Sequence, residues 1–343
     1  MREKKHGLRI VRSPALLVIV SLMSSIVTAK DEPRATAVHV LRRGDTLVEV
    51  MDPNAPDRYN VGTRFSPVAN VLSVRVGEKR FLFAPAAHDP LTENGGLAME
   101  FDLQTRGGPP GFSEAGVGEG YLKIGVGILR KESASYNFFA CNESIERART
   151  RVEWRTDSAS FEQTSPAVNG YCYALAADVR VRPGEVGIEY RLTNTGAKAF
   201  ATEQYAHNYF WFDETPVGPD YALEFPFDID VSGAAPSVAS VARVGRTLRI
   251  SAPLSGPINL KITRQKPSAE PEAVVVRDRR SGLSVEASVS RPAAHISLHA
   301  TERYLCPEQF VALRLAPGES AAWTRLYRFN HDASVHAASN PSH

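Results

Sequence analysis

The chain has almost no net charge, only three cysteines and no stretch of sustained helical periodicity. Lysine plus arginine number 40 and aspartate plus glutamate 38, a formal net charge of +2. That balance gives no electrostatic reason to expect nucleic acid or an anionic membrane as a partner. No glycine-rich phosphate loop and no Cys/His cluster at metal-ligand spacing occurs, so no metal and no cofactor is expected. The cysteines are Cys141, Cys172 and Cys306. In an exported protein Cys141 and Cys172, the pair closer in sequence, could form a bridge; buried free thiols fit the pattern equally well. The odd count leaves at least one thiol over.

What is present begins with a targeting pattern. Arg2, Lys4, Lys5, Arg9 and Arg12 make a basic start, and an apolar run follows from Ala15 toward Val27. Val27-Thr28-Ala29 then places small residues where a signal peptidase reads them. The run is short for a membrane span of about 20 residues. Residues 1–29 are therefore expected to be a signal peptide. The mature chain would be periplasmic or secreted, without stable membrane insertion after cleavage. An uncleaved anchor is the alternative.

At 343 residues and 43% hydrophobic content the chain can bury a large core. Short apolar-polar stretches alternate with turn signals throughout. Asn70–Val76 and Arg80–Phe83 flank a Gly-Glu-Lys hairpin signal. In Gly187–Thr193, Ile188, Tyr190 and Leu192 alternate with Glu189, Arg191 and Thr193, which predicts a strand with one wet face. Residues 84–119, rich in proline and glycine, read as a long loop. A short helix is the expectation near Ser144–Arg149. The pattern predicts an all-β fold, a large antiparallel β-sandwich, as one domain over residues 30–329 with a polar tail over 330–343.

The stretch with the most chemistry is Glu203–Asp213, which sets His207 among Tyr205, Tyr209, Phe210 and Trp211. On a strand, Tyr205, His207, Tyr209 and Trp211 share one face. An imidazole flanked by flat rings suits a sugar pocket, with stacking area beside a proton donor. A satisfied core histidine on an aromatic strand has the same pattern.

Three motifs together resemble the galactose mutarotase-like superfamily, the aldose 1-epimerase group. They are Ile188-Glu-Tyr-Arg-Leu-Thr-Asn-Thr-Gly196, Ala206-His-Asn-Tyr-Phe-Trp-Phe212, and Cys306-Pro-Glu-Gln-Phe310 followed by Leu315-Ala-Pro-Gly-Glu319 and Trp323. The resemblance spans residues 36–329 and implies a mutarotase-like supersandwich. It places His207 at the family's general acid and Glu308 at its general base, facing each other across one pocket. It implies a small-molecule sugar or oligosaccharide as partner. The implied reaction opens a pyranose ring by removing the anomeric hydroxyl proton while protonating the ring oxygen. Thr63-Arg64-Phe65 and Asn94-Gly-Gly96 stand nearest the family's sugar-binding segments, with asparagine where that family has histidine. Arg64, His88, Lys123, Tyr205, Tyr209 and Trp211 are the candidate substrate-binding residues. Glu100 and Glu119 read as undistinguished loop carboxylates, and His295 and His299 as ordinary strand residues. The same fold could carry an exported polysaccharide lyase or hydrolase, or a carbohydrate-binding protein without catalysis.

The export pattern has a direct test. N-terminal sequencing of material exported from a secreting host is expected to start near Lys30. A chain that still starts at Met1 would show that the apolar run is kept.

Overall fold

A computed structural model describes residues 37–102, 105, 107–266 and 272–331. The expected signal peptide, and the tail beyond His331, lie outside them. Two large antiparallel sheets dominate. The first runs in spatial order Val38–Arg43, Thr46–Met51, Val71–Val76, Leu97–Phe101, Phe200–Asn208, Leu305–Leu315, His295–Ala300, Ile258–Arg264 and Ile229–Gly233, with Lys79–Arg80 paired at one side. The second runs Val241–Val244, Thr247–Ile250, Tyr221–Glu224, Glu272–Asp278, Leu283–Val289, Ser320–His331, Glu185–Asn194, Tyr173–Arg182, Ser158–Thr164 and Arg149–Trp154. A small third sheet joins Gly120–Lys123, Gly127–Arg130 and Ser144–Arg147. The expected all-β sandwich is what forms.

One apolar cluster takes side chains from both large sheets, among them Phe81, Phe101, Phe210, Leu192, Val285 and Tyr327. Fully burying such a side chain contributes roughly 1.5–3 kcal/mol. The Glu185–Asn194 strand obeys its alternation: Ile188, Tyr190 and Leu192 are buried, while Glu189 and Arg191 are exposed.

Three local expectations are corrected. The long loop over 84–119 contains a strand, Leu97–Phe101, whose five residues are all buried and so show no alternation. The residue before it is Gly96, where φ is +73° and a Cβ would lie 1.9 Å from the Val71 carbonyl oxygen, so only glycine lets this chain approach its neighbour. The expected helix near Ser144–Arg149 is instead the strand Ser144–Arg147, because pairing with Gly127–Arg130 satisfies its backbone. The helix that does form is one short turn, Ala235–Ala239, with proline in its first turn. The last strand runs to His331, past the expected boundary at 329. The three cysteines are all unpaired: Cys141 is exposed, Cys172 half-buried and Cys306 buried. Among the described residues no helix is long and apolar enough to cross a membrane.

A polar tie crosses the core just behind the His207 strand. Arg325, 1% exposed, lies on the second sheet and donates to the Gln204 side-chain oxygen at 2.9 Å and to the Gln309 carbonyl at 2.8 Å. Its neighbour Tyr327 donates to Asn208 Oδ1 at 2.9 Å, and Asn208 Nδ2 donates to the Pro307 carbonyl at 2.6 Å. Even residues of the His207 strand and odd residues of the Glu308 strand are thus held to the opposite sheet.

Arg325→Ala leaves two buried acceptors without a donor, at about 1–3 kcal/mol each, and adds a void. We expect a loss of about 2–6 kcal/mol in urea denaturation. Arg328→Ala, which removes an exposed guanidinium from the same strand, should cost far less. Equal losses for the two would mean that the buried tie contributes nothing special.

Candidate active site

The site is built from three adjacent strands. The Phe200–Asn208 strand pairs with Leu97–Phe101 on one side, with Tyr205 opposite Glu100 and His207 opposite Ala98. On its other side it pairs with Leu305–Leu315, with Gln204 opposite Val311. Continuing that register sets Tyr205 beside Phe310, stacked at 4.3 Å between centroids, and His207 beside Glu308. Alternation then turns Tyr205, His207, Cys306, Glu308 and Phe310 to one face and Gln204, Asn208 and Gln309 to the core.

His207 is 7% exposed, and both its ring nitrogens have acidic neighbours. Nδ1 lies 2.8 Å from Glu308 Oε1. Nε2 lies 3.1 Å from the Tyr205 hydroxyl and 3.4 Å from Glu100 Oε2. Burial alone would push the imidazole down, but the Glu308 charge and hydrogen bonds to Glu100 and Glu308 outweigh it, and the pKa rises above 6.5. This corrects the expected arrangement. His207 and Glu308 do not face each other across a pocket; as side chains of neighbouring strands on one face, they form a hydrogen-bonded pair.

Glu100, which the sequence did not single out, anchors the cluster. It is fully buried and accepts from Arg64 Nε at 2.8 Å and from the Tyr205 hydroxyl through a short hydrogen bond. Burial opposes its charge, yet Arg64, His207 and Lys123 hold its pKa below the ordinary carboxylate value. The Tyr205 phenol, buried beside Glu100 and Glu308, is pushed well above its usual range. Lys123 is also sealed in, donating to the Phe101 carbonyl and lying 4.0 Å from Glu100 Oε1. Burial lowers its pKa despite Glu100 and Asp102.

A cavity of about 900 Å³ opens over this cluster. His207, Tyr209 and Glu308 line it together with Arg64, Phe65, Phe83, Asn94, Lys261, His299 and Tyr304, the last packing on Tyr209 at 4.8 Å between centroids. Of the eight residues singled out from sequence, four line the cavity: Arg64, His207, Tyr209 and Glu308. The other four do not. Tyr205 and Lys123 lie beneath it, fully buried. His88 stacks on Tyr59 at 3.6 Å between centroids, with Nε2 2.7 Å from the Tyr59 carbonyl. Trp211 falls past the end of the strand at Asn208, where the alternation stops, and packs edge-on behind Phe83 at 5.2 Å.

Sequence reasoning missed Glu100, Asn94 as a free donor, His299 and Tyr304. Asn94 Oδ1 accepts from the Gly95 amide, while its buried Nδ2 has no partner. His299 Nδ1 lies 2.9 Å from Asn259 Oδ1, and its Nε2 lies 3.3 Å from the Tyr304 hydroxyl. His295, four residues earlier on the same strand, stacks instead on Phe310 at 4.4 Å.

One donor set could hold a metal. His207 Nδ1, Cys306 Sγ and a Glu308 oxygen lie within 4.8 Å of one another, with Sγ 3.8 Å from Nδ1 and 3.4 Å from Oε1. Tetrahedral zinc with bonds of about 2.0–2.3 Å sets its ligand atoms about 3.3–3.7 Å apart. The 2.8 Å His207–Glu308 contact is a hydrogen bond that a metal would have to open.

No family model and no curated protein sequence matches the chain. Solved structures do. A protein from Synechocystis superposes with a TM-score of 0.55 at 14% identity, covering 86% of this chain and 96% of that one. Galactose mutarotase-like proteins from Lactobacillus casei and Clostridium acetobutylicum give TM-scores of 0.54 and 0.53 at 11% and 12% identity. They cover 85% of this chain and 100% and 95% of their own. The fold is thus the galactose mutarotase-like sandwich, and at these identities the likeness is one of fold.

The raised imidazole has a thermodynamic consequence. A group whose folded pKa exceeds its unfolded value stabilises fully below the unfolded value and loses that contribution as pH rises through the folded one. For His207 the window therefore opens at 6.5 and extends upward. The stability advantage of wild type over His207→Gln should shrink as pH is raised from about 6 to about 9. Urea denaturation across that range measures it, and an advantage that grows with pH would contradict the assignment.

Proposed function

We propose that this chain is an aldose 1-epimerase-like enzyme that interconverts the anomers of a free sugar by acid/base catalysis. The observation that carries this reading is the hydrogen-bonded His207–Glu308 pair in a large cavity lined by rings and hydrogen-bonding groups. The two reacting oxygens of a cyclic sugar, the anomeric hydroxyl and the ring oxygen, are geminal on one carbon. An adjacent donor and acceptor can therefore reach both from the same side, and groups on opposite sides are not required.

In this mechanism the Glu308 carboxylate takes the proton of the anomeric hydroxyl. The bond from the anomeric carbon to the ring oxygen breaks, and its electron pair goes to that oxygen, which receives a proton from His207. The open aldehyde rotates and closes on its other face with the proton transfers reversed. The charged state of His207 suits the acid role, since its neighbours favour the protonated ring. Glu100 and Tyr205 hold Nε2, which fixes the ring plane and directs Nδ1 to Glu308. Arg64 lines the cavity and Asn94 Nδ2 is an unpaired donor, so both suit sugar hydroxyls.

A lyase on this fold would use a tyrosine as base beside the histidine. Tyr205 is the residue within hydrogen-bond reach of His207, but it lies outside the cavity lining and its phenol is pushed well up. That geometry favours the epimerase.

Polarimetry on freshly dissolved aldoses tests the proposal. His207→Ala and Glu308→Gln should each lower the catalysed rate by about 10²–10⁴-fold, as loss of a positioned proton-transfer group does. The wild-type profile should fall on the alkaline side only above 6.5, where His207 loses its proton. Equal rates for all three proteins would remove the pair from catalysis. Unsaturated ends released from a polyuronide, with no aldose accelerated, would replace the epimerase by a lyase.

A further inference from the structure

The cavity is larger, and its mouth more apolar, than one sugar ring at the acid/base pair requires. At about 900 Å³ it sits near the top of the roughly 300–1,000 Å³ that holds a drug-sized ligand, well beyond what a single pyranose fills. Its lining includes Phe138 and Phe139. Phe139 is 70% exposed, more than any other exposed large hydrophobic side chain among the described residues. A phenyl left in water gains nothing for folding, so an exposed ring at the lip of a polar site points to a ligand.

The two rings are held in place. The Ala140 amide bonds to the Asn137 carbonyl at 3.2 Å, and Asn137 Oδ1 accepts from the Phe139 amide at 3.0 Å. This tight turn carries Phe138 and Phe139 at its two central positions. Their centroids are 4.0 Å apart and their planes are inclined by 38°. The Arg64 guanidinium lies 4.9 Å from the Phe138 centroid and 5.1 Å from that of Phe139. On its other side, Arg64 Nη2 is 3.4 Å from His207 Nε2. A single guanidinium therefore separates the aromatic pair from the acid/base pair, so a ligand that lies on one reaches the other.

We propose that the substrate is the reducing end of a saccharide of two or more rings. Its terminal ring lies at His207 and Glu308, and the next ring stacks on Phe139 and Phe138. The apolar C–H face of a pyranose fits the electron-rich face of a phenyl ring. Asn259, Lys261 and Arg303 on the cavity walls offer polar groups to the outward hydroxyls. This rests on the acid/base reading of the site and names its substrate class; a monosaccharide would leave the aromatic pair bare.

The test compares each reducing monosaccharide with a disaccharide built on it: glucose with maltose and cellobiose, galactose with galactobiose, and xylose with xylobiose. Polarimetry gives kcat/KM, and calorimetry gives binding for the same panel, with wild type and Phe139→Ala. For at least one pair, wild type should prefer the disaccharide by about tenfold in kcat/KM, expressed in KM. Phe139→Ala should reduce that preference toward unity. A wild-type preference near unity for every pair would overturn the proposal. So would a Phe139→Ala loss equal for both members of a pair, which would make the phenyl a cover for Arg64 alone. Where no sugar is turned over, the epimerase reading fails and calorimetry decides this one. Disaccharide binding weakened by Phe139→Ala supports it, and no binding of any panel member overturns it.

Discussion

A carboxylate sealed from water stays charged only if cations and donors replace its solvent. Glu100 is that carboxylate, and its needs organise the site. Arg64 comes from the segment after Thr46–Met51, Tyr205 from the neighbouring strand, and Lys123 from the small third sheet. Three separate parts of the chain must converge on one buried charge. Arg64 is thereby held between His207 and the aromatic turn, and Tyr205 is held where its hydroxyl meets Nε2 of the imidazole. Removing Glu100 would leave Arg64 largely buried without its counter-charge, a loss of about 3–5 kcal/mol for broken buried pairs.

The same strand serves two masters because its side chains alternate. One face of Phe200–Asn208 gives Tyr205 and His207 to the site. The other gives Gln204 and Asn208 to Arg325 and Tyr327 across the core. The Leu305–Leu315 strand does likewise, with Glu308 on the site and Gln309 on the tie. A polar network of this kind fixes register, since a slip of one residue would turn His207 and Glu308 into the core and the amides into the cavity. The geometry of the His207–Glu308 pair is thus held from behind, by residues on the core face of the two strands.

Much of this was legible in the chain. Alternation in Ile188–Thr193, hairpin turns and the lack of helical periodicity determined an all-β sandwich, because strand pairing and burial act through local period and turn chemistry. The aromatic stretch around His207, and the Cys306–Phe310 motif about a hundred residues later, marked the two strands of the site. Leu97–Phe101 was hidden because a strand buried on every residue has no period to read, and the site's anchor, Glu100, was hidden with it. The Ser144–Arg147 segment was misjudged because its backbone partner lies on another hairpin.

The sequence by itself determined the class of fold and the face of the strand that carries His207; Glu308 was marked as its counterpart only by the resemblance to the mutarotase-like group. Only the tertiary structure decided that the two touch, since contact depends on cross-strand register. It also decided which candidates reach the cavity. His88 and Lys123 carry suitable chemistry, but one is captured by Tyr59 and the other by Phe101 and Glu100. Trp211 shared a face with His207 only while the strand continued, and Asn208 ends it. Residue type sets what a side chain can do; the packing of distant segments around it sets whether solvent and ligand ever meet it.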